Sequence, residues 1–539
     1  MQPKTISTFL AVLALVICLE GFAAPPKLDS LFPAGGQRGQ VVSVTAAGTF
    51  GAWPAQVWVN RGGLQIECDK DKGKLKITVD GEAAAGTYWL RLHDAEGASV
   101  LRPFIIDSLP EVEEKEPNNE TTDAQALEQS SIVNGRFQGG GDVDGFTISA
   151  KAGQTLVASL QAHQVLASPM DAVLQICRED GSVMEQNDDA RGIDPQIAFE
   201  VPRDGKYIVR AFAFPVTPNS TIGFAGAATF IYRLTITTDG FIDHAVPLAL
   251  QAEQENALSL FGWNISRDAK PLTEQATHGE YLVAFRPDLS SSIELTPATH
   301  SVVAATVDSS RDNPQAIALP ATITGRINEP RDEDSFQFKA TKGQKITFRV
   351  ESDSLGFLLD PLLQILAADG KIIGEVDDSN RKRDCELTQT IPADGDYRVL
   401  IRDVYRHGGF RYVYRLTATQ ATPDFVLKLA ADSFVLTAGK PLEVPITVER
   451  KNGFNGEIAV AAQDLPGGVT ADIVKSEAKG DSSKAVKLVL KSEAGPISAP
   501  FRIVGSSKEP AELTHHASFS LGSTTTQCSL PWLTVVKAK

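Results

Sequence analysis

Residues 132–153 read IVNGRFQGGGDVDGFTISAKAG, and residues 322–343 read TITGRINEPRDEDSFQFKATKG. Gly135 in the first stretch matches Gly325 in the second, at an offset of 325 − 135 = 190 residues. The same offset relates four further pairs, which are Asp142 and Asp332, Asp144 and Asp334, Phe146 and Phe336, and Gly153 and Gly343. Self-similarity at a fixed spacing is the mark of a repeated structural unit. The chain therefore contains two diverged copies of one module.

The duplication extends beyond these stretches. Residues 170–176 parallel 359–365, residues 202–207 parallel 392–397, and residues 232–235 parallel 414–417. A fainter duplication precedes each copy, because residues 29–48 match residues 243–262 at an offset of 243 − 29 = 214. The plan is a small module followed by a larger one, twice, and then a tail module.

Apolar residues alternate with polar ones through most of the chain. Phe146, Ile148 and Ala150 form one such run. A period of two residues is typical of β-strands with one buried face, and Asp-Gly pairs such as 180–181 and 394–395 are turn signals between strands. The pattern predicts an all-β chain of tandem β-sandwich modules in an extended multidomain arrangement. The predicted domains are a signal peptide at 1–23, immunoglobulin-like or TIG-like modules at 24–110 and 241–305, the two larger copies at 111–240 and 306–421, and an immunoglobulin-like domain at 422–539.

Composition limits the classes of function. The 539 residues are 42% hydrophobic and 22% charged, which is typical of globular domains, and the length corresponds to about three to five of them. Lys and Arg total 51 against 67 Asp and Glu, a formal net charge of −16. Such a charge repels nucleic acid and anionic lipid, so a nucleic-acid partner is not expected.

The first 23 residues predict a secretory signal. Lys4 provides a positive charge, residues 9–19 are apolar, and Gly21 and Ala23 are small residues before the expected cleavage site. A membrane anchor and a lipid-modified Cys18 are the weaker alternatives, and no later stretch predicts membrane insertion. We expect a protein that is secreted, periplasmic or on the cell surface.

Four cysteines lie outside this leader, with no spacing typical of a metal site. They are Cys68, Cys177, Cys385 and Cys528. We expect isolated buried thiols, and a single long-range disulfide is the alternative.

The first larger copy resembles a known family. Residues 114–119 read EKEPNN and precede Gly135, the DVD of residues 142–144 and the DGKY of residues 204–207. This order is similar to that of bacterial pre-peptidase C-terminal (PPC) domains, over about 111–240 and, less closely, 306–421. The resemblance implies a non-catalytic, jelly-roll-like β-sandwich of the kind attached to secreted proteases. It also implies kinship with collagen-binding domains of bacterial collagenases, in which calcium rigidifies the N-terminal linker.

A calcium site also follows from the residue types. Calcium takes about six to eight oxygen ligands, and residues 114–119 are rich in side-chain oxygens. Asp142 and Asp144 are two apart on a strand, so their side chains can point the same way. By resemblance the expected ligands are Glu114, Glu116, Asn118, Asn119 and Asp144, with Asp142 as a further candidate. The alternative is a solvated acidic linker and a Gly-Asp turn.

The second copy lacks most of this ligand set. At the 190-residue offset, Ala304, Thr306, Asp308 and Ser309 stand where the first copy has Glu114, Glu116, Asn118 and Asn119. We therefore expect no equal site there. Because Asp332 and Asp334 remain without such partners, part of the role of these aspartates is expected to be turn formation.

No enzymatic role is expected. The chain contains no HExxH zinc motif, no GxSxG nucleophile motif and no phosphate-binding GxxxxGK[ST] loop. None of the eight histidines has a spacing that pairs it with a nucleophile or a carboxylate for general-base catalysis. Residues 188–189 and 377–378 are repeated Asp-Asp pairs, which we interpret as solvated turns.

Residues 402–412, RDVYRHGGFRY, are a cationic and aromatic segment in an acidic protein. Tyr and Arg are enriched at binding hot spots, so Tyr405, Arg406 and Phe410 are the candidate ligand-binding residues. The alternative is an ordinary hairpin whose tyrosines face the core.

These features together predict an exported, monomeric, non-catalytic protein of the cell envelope. Its repeated modules would mediate adhesion to an extracellular polymer or an envelope protein. The alternative function is an accessory or targeting component of a secreted peptidase, and an unrecognised hydrolase is a weaker alternative.

Overall fold

The computed structural model describes residues 24–538, apart from residues 219, 221–222, 252–257, 267–269, 276–280, 380–381, 494 and 522–526. The predicted signal peptide at 1–23, with Cys18, lies outside the described residues. Strands account for nearly all the regular structure, as the alternation of apolar residues predicted, and the only helical segments described are two three-residue 3-10 turns at Asp353–Leu355 and Asp481–Ser483. In this part of the chain, no helix has the length and apolar character that a membrane crossing requires.

The first module is a sandwich of two four-stranded sheets, with strand orders β1-β3-β6-β5 and β2-β8-β7-β4. Its core contains Leu28, Ile77, Leu90 and Phe104. The strands are β1 Lys27–Phe32, β2 Gly35–Gln37, β3 Val41–Thr49, β4 Gln56–Val59, β5 Leu64–Cys68, β6 Lys74–Val79, β7 Gly86–His93 and β8 Arg102–Asp107.

The second module pairs two five-stranded sheets, ordered β10-β12-β17-β14-β15 and β16-β13-β18-β11-β9. Strand β12 alternates buried and less buried residues, which places Phe146 and Ile148 in the core. The strands are β9 Glu111–Glu113, β10 Gln125–Ala126, β11 Ser131–Arg136, β12 Asp144–Ala150, β13 Thr155–Gln161, β14 Met170–Arg178, β15 Val183–Asn187, β16 Gln196–Glu200, β17 Gly205–Pro215 and β18 Ile231–Thr237.

The third module is smaller and contains a two-stranded sheet, β19-β21, and a four-stranded sheet, β20-β24-β23-β22. The strand after it, β25, pairs in parallel with the next module, although the sequence division placed it in the third. The strands are β19 Phe241–Val246, β20 Ala249–Gln251, β21 Ser259–Trp263, β22 Leu272–Gln275, β23 Leu282–Phe285, β24 Ile293–Ala298 and β25 Ser301–Ala304.

The fourth module has the same strand order as the second. Its sheets are β26-β28-β33-β30-β31 and β25-β27-β34-β29-β32, so β25 corresponds to β9. The remaining strands are β26 Gln315–Ala316, β27 Ala321–Arg326, β28 Asp334–Ala340, β29 Lys345–Glu351, β30 Pro361–Ala367, β31 Ile372–Val376, β32 Cys385–Thr390, β33 Gly395–Asp403 and β34 Val413–Gln420.

The fifth module contains three sheets of three or four strands and one short pair. Its orders are β35-β37-β41-β39, β36-β47-β42, β40-β38-β43-β44 and β45-β46. The strands are β35 Asp424–Leu429, β36 Ser433–Thr437, β37 Leu442–Lys451, β38 Ile458–Gln463, β39 Val469–Ala471, β40 Val474–Ser476, β41 Ala485–Ser492, β42 Ile497–Pro500, β43 Arg502–Ser507, β44 Leu513–His516, β45 Phe519–Ser520, β46 Gln527–Cys528 and β47 Trp532–Val536.

Modules that are distant in sequence also touch, which the strand pattern did not predict. Arg91, 1% exposed, pairs with Asp432 at 3.2 Å and joins the first module to the fifth. Trp89 belongs to the same apolar cluster as the core of the fifth module. The predicted tandem modules are therefore also joined by contacts between the first module and the fifth.

The cysteines agree with the prediction of isolated thiols. None of the four described cysteines forms a disulfide; Cys68 is half-buried, and the other three are buried, namely Cys177, Cys385 and Cys528.

A buried tyrosine and a buried aspartate connect the two sheets of each larger module. Tyr232 on β18 donates a hydrogen bond from its hydroxyl to Asp144 on β12. In the fourth module Tyr414 donates to Asp334 at 2.6 Å. All four side chains are buried, so these hydrogen bonds satisfy polar groups that are shielded from water.

The matched glycines make room for these tyrosines. Gly135 faces Tyr232 across the β11–β18 ladder, and a Cβ there would lie 2.1 Å from the tyrosine Cζ. A Cβ at Gly325 would lie 2.2 Å from the Tyr414 hydroxyl oxygen. The glycine is therefore retained because a side chain would displace the tyrosine.

We predict that Gly135→Ala lowers the stability of the second module by about 1–3 kcal/mol, as expected for overpacking a buried site. Gly205→Ala in the same module is the control, since a Cβ at Gly205 meets nothing within 4 Å. Urea unfolding with hydrogen exchange of β11 and β18 measures the difference. Equal stability of the two variants would contradict the steric role of Gly135.

Candidate metal site

The linker that carries the predicted ligands is held by one glutamine side chain. Gln125 accepts a hydrogen bond from the Lys115 backbone N–H at 2.8 Å and donates to the Glu113 carbonyl at 3.2 Å. These two hydrogen bonds, which we call the glutamine clamp, fix the backbone at the start of residues 114–119.

The second copy contains the same clamp. Gln315 accepts from the Thr306 N–H at 2.8 Å and donates to the Ala304 carbonyl at 3.2 Å. The two glutamines stand at the 190-residue offset, so the duplication could have identified this pair, although the sequence analysis missed it. Since the second copy has no acidic residues at 304 and 306, the clamp does not depend on a metal.

Three carboxylates converge beside this linker. One oxygen from each of Glu116, Asp142 and Asp144 lies within 4.8 Å of the others. Among the described residues, this is the one group of three or more His, Cys, Asp or Glu side chains whose geometry could hold a metal ion. Glu116 is exposed, and both aspartates are buried. The structure thus brings together three of the six predicted ligands as carboxylates.

The two asparagines complete the same cluster. When the amide nitrogens point inward, Asn118 donates to Asp144 Oδ1 at 3.2 Å and Asn119 donates to Asp142 Oδ1 at 3.1 Å, and both also reach the Val143 carbonyl. When the amide oxygens point inward, these side chains place oxygen against oxygen. That second arrangement is favourable around a cation, because the cation removes the repulsion between the oxygens.

Glu114 occupies a different position from the other predicted ligands. Its Oε2 accepts hydrogen bonds from the Arg136 N–H at 2.7 Å and from the Tyr232 hydroxyl at 3.1 Å. It therefore lies beside the tyrosine and is not one of the three converging carboxylates. Its contacts give it a structural role within the buried tyrosine–aspartate pair.

Burial and negative charge both act on Asp144. Burial, with the adjacent charge of Glu114, raises the pKa of Asp144 to about 9. Burial also raises the pKa of Glu114. A cation in the cluster would favour the ionised form of Asp144, because its charge opposes that of the neighbouring carboxylates.

Asp142 also stabilises the turn that precedes β12. Its Oδ2 accepts a hydrogen bond from the Gln138 N–H, and in the second copy Asp332 Oδ2 accepts from the Asn328 N–H at 3.0 Å. The turn-forming role that the sequence analysis expected is therefore present in both copies.

A hydroxyl group replaces the amide cluster in the second copy. The Ser309 side chain is buried and hydrogen-bonds to the backbone N–H and carbonyl of Ser335, each at 3.2 Å. Burial raises the pKa of Asp334 to about 7. The second copy thus retains the buried pair without the oxygen-rich linker of the first.

The predicted ligand-binding segment divides into exposed and packed residues. Tyr405 is 69% exposed, and Arg406 is exposed and lies 3.7 Å from Glu333. Phe410 instead packs against His244 and Trp263, with ring centroids 5.1 Å from each. Tyr405 and Arg406 are accessible to a ligand, whereas Phe410 contributes to a contact between modules.

Comparison with known proteins gives similarity over parts of the chain. No protein-family model matches. A stretch of 150 residues, 28% of this chain, is 29% identical to a probable subtilase-type serine protease of Deinococcus radiodurans. The chain spans only 19% of that protein's length.

Solved structures give only weak global likeness. The lysozyme inhibitor PliG of Aeromonas hydrophila is 18% identical over 24% of this chain and 96% of its own, with a TM-score of 0.15. Fibronectin(III)-like modules of Clostridium thermocellum CbhA are 11% identical over 37% of this chain and 88% of theirs, with a TM-score of 0.14.

We predict that Gln125→Met increases protease cleavage within residues 108–122, because two linker hydrogen bonds worth about 1 kcal/mol each are lost. The increase is expected with and without calcium, since the clamp recurs in the second copy without acidic residues. Gln129→Met, a change at an exposed glutamine nearby, is the control. Unchanged cleavage in Gln125→Met would contradict the clamp.

Proposed function

We propose that the protein is an exported, non-catalytic binding protein. Its two larger modules attach it to an extracellular polymer or an envelope protein, and calcium rigidifies the linker before the first of them. The observation that carries the calcium proposal is the convergence of Glu116, Asp142 and Asp144 beside two asparagine amides.

The chemistry of this cluster suits calcium. Calcium prefers carboxylate, amide and backbone oxygens, and the cluster offers all three, the last from Val143. Extracellular calcium sites bind at about 10⁻⁴–10⁻³ M, so external calcium could fill such a site. The ligands come both from the linker and from the turn before β12, so an ion would join these two segments.

The accessible surface supports a binding role. Tyr405 lies against His407, with ring centroids 6.1 Å apart, and the Arg406 guanidinium is on the same loop. Exposed Tyr and Arg side chains with fixed neighbours are typical of binding hot spots. We propose this loop as the contact with the polymer or protein partner.

A second candidate function is an accessory or targeting component of a secreted peptidase. It is favoured by the 150-residue similarity to the probable subtilase-type protease. Under this proposal a separate catalytic chain would be recovered with the protein from the native envelope.

We predict that calcium protects residues 108–122 from protease and that a chelator removes the protection while both larger modules stay folded. Glu116→Gln should weaken calcium binding at least tenfold, because it removes one charged ligand; isothermal titration measures the affinity.

The matched control for calcium binding is Asp332→Asn in the second copy, which should bind calcium as the unaltered protein does. If Glu116→Gln left both the affinity and the protection unchanged, this site would not be the one that calcium occupies.

We predict that Tyr405→Ala reduces retention on an insoluble extracellular polymer by roughly tenfold, equivalent to about 1.4 kcal/mol. Ile473→Ala is the control, since Ile473 is 65% exposed in the fifth module and lies outside the proposed loop. Equal retention of both variants would exclude the Tyr405 loop as the attachment surface.

A further inference from the structure

A buried carboxylate joins three modules at one point. The Asp243 side chain on β19 is 0% exposed and accepts a hydrogen bond from Gln196 Nε2 at 2.9 Å. Arg411 Nε lies 3.1 Å and Arg191 Nη2 3.2 Å from Asp243 Oδ1, and His244 Nδ1 lies 2.8 Å from Oδ2. Arg191 and Gln196 belong to the second module and Arg411 to the fourth, so Asp243 connects both to the third.

Arg411 extends the contact to the backbone of the neighbouring modules. It donates to the Ala190 carbonyl in the second module and to the Gly356 carbonyl at 2.7 Å in the fourth. The side chain is 9% exposed, so this junction is almost dry. In a dry contact, each charge depends on its partners for compensation.

His244 is the titratable group at the centre of this junction. Its side chain is 1% exposed, and its ring stacks on Phe261 at 5.2 Å with an interplanar angle of 4°. Phe357 and Phe410 cover it from the fourth module, at 5.7 and 5.1 Å. With Nδ1 donating to Asp243, Nε2 is left without a hydrogen-bond partner among the described residues.

Burial resists the protonation of His244, although the hydrogen bond to Asp243 favours it. Among the described residues, Asp243 is the negative group in contact with His244, and its charge is already shared with Arg411 and Arg191. Arg326 lies on the other side, above the Phe261 and Phe410 rings. Burial, assisted by the charges of Arg326 and Arg411, lowers the pKa of His244.

We propose that this junction is a proton-operated joint: neutral His244 holds the second, third and fourth modules together, and protonation of its Nε2 opens the contact between them. Protonation would place an unpaired N–H and an additional positive charge among three phenylalanines and two arginines. When the joint is open, water hydrates the imidazolium of His244, so protonation favours the open state.

The direction of the pH dependence of closure follows from proton linkage. Because the pKa of His244 is lower in the closed joint than in the open one, closure is complete above about pH 6.5 and is weakened as the pH falls below it. Asp243 acts only at lower pH. Burial opposes its ionisation, but the His244 hydrogen bond and the two arginines hold its pKa well below the usual range, so its contribution is lost only below about pH 4.

Asp194, on the loop beside Arg191, has the opposite effect on stability, because its protonation favours the folded structure as the pH falls. Burial raises its pKa to about 6, although its carboxylate accepts the N–H groups of residues 162–164. A comparison of variants is therefore needed to isolate the contribution of His244.

The test is hydrogen–deuterium exchange of the full chain between about pH 7.5 and 4.5, corrected for the pH dependence of intrinsic exchange. Protection of residues 241–246 and 405–413 should fall by up to tenfold per pH unit below about 6.5 in the unaltered protein. In His244→Gln, which cannot gain the proton, this fall in protection should be absent, and any remaining response should be the rise at lower pH that Asp194 causes.

His515→Gln is the matched control. His515 also pairs with an aspartate, Asp424, at 2.7 Å, but it is 37% exposed in the fifth module, so this variant should keep the full pH response. Arg326→Gln provides a second variant should His244→Gln fail to fold. Removing the facing positive charge should make the fall in protection smaller.

Three results would overturn the proposal. They are constant protection in the unaltered protein, an undiminished pH response in His244→Gln, and a profile of Arg326→Gln identical to that of the unaltered protein.

Discussion

The hydrogen bond between a buried tyrosine and a buried aspartate is the constraint on which the repeated module depends. Asp144 and Tyr232 lie on different sheets, so their contact fixes the distance between the two layers at the point where β12 begins. Neither group can reach water, and breaking the pair would remove a hydrogen bond from each of two buried polar groups. The turn before β12, which carries Asp142 and Val143, is held in place by the same contact.

The two copies show that the tyrosine–aspartate pair can exist without the neighbouring cluster of carboxylate and amide oxygens. The second copy keeps Tyr414, Asp334 and Gly325 but has Ala304 in place of the carboxylate that Glu114 supplies. Because the Ser309 hydroxyl hydrogen-bonds to the backbone of Ser335, the tyrosine–aspartate pair stays intact with fewer negative charges nearby. The paired aspartates are thus explained by folding, whereas the acidic and amide side chains of the first linker have no folding role that the second copy shares.

The sequence predicted the strands, the duplication and most of the oxygen cluster, because each of these leaves a local or periodic pattern. Alternation records which face of a strand is buried, and a fixed offset aligned Gly135 with Gly325. The sequence could not predict that Glu114 faces Tyr232, because that depends on the side of the linker to which each side chain points. It also could not predict the pairing of Asp243 with Arg411, which are 168 positions apart. No spacing rule paired any histidine with a carboxylate, yet His244 and His515 each contact an aspartate.

The second module has polar contacts at both of its boundaries, and these contacts differ in kind. At its start, the linker meets the cluster of Glu116, Asp142 and Asp144, where negative charges repel and an added cation would bring the segments together. At its far boundary, Arg191 and Arg411 already share the one carboxylate of Asp243, and an added proton would separate the modules. Under the two proposals, the boundaries of this module would respond in opposite directions to added positive charge: a bound cation would rigidify the first, and a proton would release the second. The module's orientation relative to its neighbours would then depend on the ionic conditions, whereas its two-sheet core is held by the hydrogen bond between Tyr232 and Asp144.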